Sequence, residues 1–190
     1  MKENIDLYEE LETERLILRK IVDTDAINLY NNIYNNYEYY KYYYQLPFEN
    51  LDDYKNLVEK YKDYYSNGNY FKWGIVIKDT NEIIGIIQLH SRDYLNNNTQ
   101  IGYIIGYNYN GVGYAKESVS KVIDFAFNKI NIHRIDAMIA DMNESSIKLV
   151  ESIGMTLESV REDGYKIGNK YYNQKVYKMI NKNWLWIEDD

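Results

Sequence analysis

The feature that most constrains this chain is the stretch "IGYIIGYNYNGVGYAKES", residues 101–118, where an alternating apolar run passes through Gly111 and Gly113 straight into a helical pattern. Alternation is the period of a half-buried strand. The spacing of Val119, Val122, Ile123, Ala126 and Phe127 is that of one buried helical face. No Pro, Ser or Asp stands at the helix start as a cap. The first-turn N–H groups therefore lack the usual side-chain acceptor, and with the positive end of the helix dipole they form a site for an anion. Glycines permit the unusual φ values and the close approach that such a ligand needs. The missing cap is one that a ligand can supply.

The flanking segments set the fold class. "ETERLILRKI" alternates Leu16 and Leu18 against Arg15, Ile17 and Arg19 as a first strand. "DTDAINLYNNIYNN", with Asp23 or Thr24 as cap, and "ENLDDYKNLVEKYKDYYSNGN", with Leu51, Tyr54, Leu57, Val58 and Tyr61 on one face, read as two helices. Runs at about 70–78, 82–91 and 98–107 form an antiparallel meander. After the helix from Tyr114, "HRIDAMIADMN" is apolar on both faces, as a central strand is. "ESSIKLVESIGM" is a short helix between Asn143 and Gly154, and strands near 156–166 and 170–180 complete the sheet. The order predicts a mixed α/β fold in one domain spanning 1–190, with its core at about 11–180. Its sheet is mostly antiparallel, with about seven strands, a central parallel β-α-β crossover and about four helices.

Composition excludes several functions. A formal charge of −7 argues against a sequence-independent nucleic-acid binder, which needs clustered Lys and Arg. No apolar run approaches the ~18 residues that span a bilayer, and the start "MKENIDLYEE" has no signal-peptide character. A cytoplasmic protein with no membrane partner is expected. The absence of cysteine removes disulfides, thiolate metal sites and a Cys nucleophile, and two distant histidines, His90 and His133, give little basis for a metal site. Chemistry is left to carboxylates, hydroxyls, backbone amides or a bound cofactor.

Three phosphate-binding loops compete for the glycine stretch. A nucleotide-triphosphate loop requires Gly-Lys-Ser/Thr, which is absent, and a dinucleotide loop requires a third glycine where Lys116 stands. The third type fits. "NGVGYA" (110–115) with its helix, "HRIDAMIADMNESS" (133–146) and "LVESIGM" (149–155) resembles the Gcn5-related N-acetyltransferase (GNAT) family, in its ribosomal-protein N-acetyltransferase (RimJ/RimL)-like branch, over residues 11–180. The resemblance implies acetyl-coenzyme A (acetyl-CoA) as co-substrate and no metal. Position by position it assigns the diphosphate to Asn110, Gly111, Val112, Gly113, Tyr114 and Ala115. It assigns the pantetheine arm to the strand edge Tyr103, Ile104, Ile105 and to Asn143 and Ser146. Family sheets splay at this strand, and the acceptor amine enters from the opposite side.

This chain departs from the family pattern at four positions. Asn110 stands where Arg or Gln is usual and Met155 where Phe is usual, a volume-conserving change. Gln100 replaces a frequent glutamate base and Val150 a frequent tyrosine acid, which leaves Ser146 as the general acid. His133 and Arg134 read as structural; His90, at the end of an apolar strand, could face the acceptor site but reads first as packing or solvent-facing. The tyrosine-rich run 34–48 lies where the family builds its acceptor pocket and could form an aromatic box, although codon bias is the safer account of it. The expected acceptor is a small-molecule or peptide primary amine: a protein N-terminus, polyamine, amino sugar or aminoglycoside, the acidic balance favouring a cation. An acetyl-CoA-binding sensor without transferase activity is the alternative. A homodimer formed through an exposed strand near the C-terminus is compatible with either.

Overall fold

The computed structural model describes residues 8–35, 42, 48, 50–66 and 71–185. Leucines at alternate positions put Leu16 and Leu18 into the core while Ile17 and Arg19 stay half-exposed, giving β2 (Leu16–Arg19). Ahead of it a two-residue strand, β1 (Leu11–Glu12), pairs with Ile17 and Leu18. Among the described residues the sheet therefore has eight strands where about seven were expected, because a two-residue strand carries no period for a sequence reading to detect. A 3-10 turn at Asp23–Asp25 leads into α1 (Ala26–Leu29) and a π-helical turn at Tyr30–Tyr34. Neither Asp23 nor Thr24 caps this helix. Asp25, at the start of α1, makes no side-chain cap bond to it either; its Oδ2 accepts from the Val22 N–H ahead of the 3-10 turn at 2.9 Å while its carboxylate holds Arg19.

α2 (Leu51–Ser66) follows, and the break after it lies outside the described residues, as does most of the tyrosine-rich run. β3 (Phe71–Ile77), β4 (Glu82–Asp93) and β5 (Asn98–Ile105) form the expected meander. α3 (Tyr114–Asn128) carries the chain over to β6 (Arg134–Ala140), which is parallel to β5. α4 (Glu144–Ser152) then leads to the hairpin of β7 (Thr156–Ile167) and β8 (Lys170–Ile180). Gly154, at φ +92°, ends α4 in the left-handed conformation that glycine adopts without strain.

Strand order in the sheet is β1-β2-β3-β4-β5-β6-β8-β7, and β5–β6 is its one parallel pair. Each face of the sheet has its own core. α3 and α4 cover the face built on Trp73, Ile87, Ile101, Ile135 and Ile139. The other face, with Val76, Ile86 and Ile104, is covered by α1 and α2 through Leu29, Tyr54, Val58 and Tyr61. Met155 is 3% exposed in the first core, as a volume-conserving replacement should be. His133 packs its ring 5.0 Å from Trp184, and Arg134 is paired with Asp136 and Glu158, so both are structural.

β5 and β6 are paired only at Asn98–Arg134, Thr99–Ile135 and Gln100–Asp136. Past Gln100 the two strands diverge, although β5 continues to Ile105 and β6 to Ala140. This splay puts a cleft in the middle of the sheet.

Candidate active site

A cavity of about 620 Å³ opens at the splay. β5 contributes Tyr103, Ile104 and Ile105. The loop beyond it contributes Asn110, Gly111 and Gly113, and α3 contributes Tyr114 and Ala115. Asn143 and Ser146 close it from α4. Those are the sequence-predicted cofactor residues with one exception. The Val112 side chain is exposed, and its carbonyl accepts from Arg15 Nη1 at 3.0 Å.

The glycine loop has the geometry its sequence predicts. Gly111 and Gly113 take φ of +80° and +92°, and Gly113 is the N-cap of α3 with no side-chain cap. Among the described residues, none accepts a hydrogen bond from the N–H groups of residues 111–116. A row of donors thus faces a cavity at the positive end of a fifteen-residue helix. Lys116 and Lys148 also line this cavity and add positive charge near it.

Arg15 holds the loop in place. Its guanidinium lies 4.7 Å from the Tyr114 ring centroid and binds Glu117 Oε2 at 2.7 Å, while its backbone N–H donates to Glu117 Oε1 at 2.9 Å. Thr13 Oγ1 donates to the same carboxylate at 2.5 Å. These hydrogen bonds lower the Glu117 pKa against the opposing effect of burial, so Glu117 is charged at neutral pH. Sequence reasoning missed Arg15, since its outward position in a strand pattern matches that of any solvated arginine.

Asn143 caps α4: its Oδ1 accepts from the Ser146 N–H at 3.2 Å and from Ser145 Oγ at 2.9 Å. That places Asn143 and Ser146 beside Tyr103. Burial pushes the Tyr103 hydroxyl up to about 12, an effect the neighbouring Ser146 partly offsets, so it stays protonated. Val150 lies elsewhere, fully buried in the core under α4.

A second cavity, of about 540 Å³, lies on the opposite face of the sheet under α2, and meets the first at Tyr42, Tyr103, Ile104, Asn143 and Ser146. Its polar lining includes Lys72, Gln88, His90, Gln100 and Gln174, with Tyr34, Tyr61 and Tyr165 as aromatic walls. His90, which the sequence reading assigned to packing or solvent, is one of these lining residues. Burial, then the neighbouring Lys72 charge, hold the His90 pKa below its ordinary value. Among the described residues no group of His, Asp or Glu is arranged to hold a metal ion, and no helix is long and apolar enough to cross a membrane.

A splayed sheet with an uncapped helix mouth and two chambers that meet at Tyr103, Asn143 and Ser146 suits a two-substrate transfer enzyme. A model of the acetyltransferase (GNAT) domain family matches residues 15–156. The chain belongs to this family. Among relatives of this GNAT protein, an uncharacterized N-acetyltransferase, YoaA, of Bacillus subtilis (strain 168) is 32% identical over 171 residues, covering 90% of this chain and 96% of the relative. An uncharacterized N-acetyltransferase, p20, of Bacillus licheniformis is 30% identical over 178 residues, covering 93% and 98%. The GNAT fold is shared with the ribosomal-protein-S5-alanine acetyltransferase of Vibrio fischeri at a TM-score of 0.84, with 22% identity over 93% of this chain and 99% of that one. It is also shared with the spermidine N-acetyltransferase of Vibrio cholerae solved with CoA and spermine, at a TM-score of 0.78, with 22% identity over 90% and 99%.

Proposed function

We propose that this GNAT enzyme moves an acetyl group from acetyl-CoA to a primary amine by direct attack in a ternary complex. The observation that carries the reading is the junction of the two chambers at Tyr103, Asn143 and Ser146, with the donor row of residues 111–116 at the far end of one of them. When bound, the coenzyme supplies a thioester whose carbonyl carbon takes the amine.

The N–H groups of residues 111–116 hold the diphosphate, and the β5 edge at Tyr103–Ile105 receives the pantetheine amides in place of the departed β6. Ser146 places a hydroxyl at the neck, where the leaving sulfur needs a proton. Tyr103 borders the same neck. Gln100 lines the acceptor chamber but is neutral and removes no proton, so the proton that the amine loses passes to solvent, and positioning at the neck carries most of the rate. The acceptor is a small amine or a protein N-terminus.

The neutral Gln100 and the buried Val150 favour a second reading, a coenzyme sensor without transfer. Release of free thiol from acetyl-CoA across a panel of amines and N-terminal peptides separates the two. Thiol release with at least one acceptor is expected. Coenzyme binding that Gly113→Glu abolishes, with no thiol from any acceptor, would leave the sensor reading standing.

A further inference from the structure

We propose that Tyr109 is a positioning residue for the coenzyme: through Glu82 it fixes the segment that carries the donor row of residues 111–116 to its cavity. The inference rests on the coenzyme reading of the first cavity. β5 ends at Ile105, and the chain then runs through a 3-10 turn (Tyr107–Tyr109) before it reaches Gly111. Tyr107 and Asn108 in this turn are exposed, while Tyr109 is half-buried and lines the cavity beside Asn110 and Gly111. A surface connection of this kind keeps one geometry only if other elements hold it.

Contacts with β4 and with the π-helical turn do so. The Gly106 N–H donates to the Ile84 carbonyl at 2.8 Å. Gly106 has a φ of −56°, which any residue adopts, so glycine stands there for space: an added Cβ would lie 2.5 Å from the Asn32 carbonyl oxygen. The Tyr109 hydroxyl donates to Glu82 Oε1 at 2.5 Å. Asn32 Nδ2 donates to the same oxygen at 3.4 Å and to the Ile83 carbonyl at 2.9 Å. The π-helical turn, the first residue of β4 and the coenzyme loop therefore meet at one carboxylate.

Tyr109 is the member of this cluster that also lines the cavity. Burial, then the neighbouring Glu82, push its hydroxyl up to about 12, so at neutral pH it keeps the proton that it donates. Beyond Gly111, Arg15 holds the Val112 carbonyl. With ties at Tyr109 and at Val112, the residues between them are ordered before the coenzyme arrives. The entropy of fixing their backbone is then spent in folding and does not weaken binding.

The test is calorimetry of CoA binding to the full-length protein. Tyr109→Phe keeps the ring and removes the bond, and should weaken affinity by about three- to tenfold, the range of one net hydrogen bond. Glu82→Gln keeps an acceptor oxygen for Tyr109 and should bind CoA within about twofold of the unaltered protein, whereas Glu82→Leu should match Tyr109→Phe. In steady state the loss should fall on the KM for acetyl-CoA and spare the KM for whichever amine is acetylated. A lower melting temperature for Tyr109→Phe with unchanged CoA affinity would mean that the bond only supports the fold, and would overturn the inference. Equal weakening by Glu82→Gln and Glu82→Leu would overturn it too. Should Tyr109→Phe not fold, the two Glu82 variants decide. Failure of the unaltered protein to bind CoA would sink the coenzyme reading along with the inference.

Discussion

A lysine that is 8% exposed has given up the hydration its charged form needs, and burial lowers Lys72 to about 8. The folded protein therefore binds fewer protons than the unfolded chain between about pH 8 and the ordinary lysine value of 10.5, and its stability rises with pH across that window. At pH 7 Lys72 costs about 3 kcal/mol of stability. Lys72→Met should recover much of this at pH 7 and progressively less as the pH approaches 10.5, as urea titrations at the two ends would show. A gain independent of pH would mean that packing, and not charge, was responsible. Ser146 is argued at the same scale. Its N–H is held by Asn143, so its hydroxyl is placed by the helix cap. Ser146→Ala should lower kcat about a hundredfold with coenzyme affinity nearly unchanged, and equal turnover would remove Ser146 from the acid role.

Among the elements, α3 depends on a partner far away in the chain. Arg15, just before β2, ties Glu117 in the first turn of α3 and the Val112 carbonyl to the edge of the sheet. Arg15→Ala leaves every donor of residues 111–116 in place but unties the loop that presents them. Coenzyme affinity, measured by calorimetry, should fall by up to about fivefold, as expected for an exposed ion pair. Affinity unchanged within error would show that the glycines set the loop alone. This pair also marks the limit of what sequence could reveal. The strand-glycine-helix passage, the Asn143 cap and the closing hairpin were legible because each is local: period, cap and turn residues lie within a few positions of one another. Arg15 and Glu117 are 102 positions apart, and neither residue type signals the other. That Asp25 binds Arg19 and the Val22 N–H while neither Asp23 nor Thr24 caps the helix was missed for a different reason. All three residue types are good caps, and only the fold brings Arg19 to Asp25.

At the scale of the whole molecule, the splay between β5 and β6 was expected from family resemblance and is visible as pairing that stops at Gln100. The second chamber was not legible: strands from across the sheet, α2 and the final hairpin all contribute to it, and only the folded register sets Lys72, Gln88 and His90 around Gly102. Coenzyme bound along the β5 edge should slow amide hydrogen exchange over residues 101–105 and 111–116, while the β7–β8 hairpin should exchange at an unchanged rate. Uniform slowing would indicate global stabilisation and not occupancy of the splay.

The neck has a kinetic corollary. With chambers on opposite faces of one sheet, each spent product can withdraw through the door its parent used, without passing the other. Free coenzyme should then compete only with acetyl-CoA and the acetylated amine only with the amine, in crossed product-inhibition plots, and neither substrate should be obliged to arrive first.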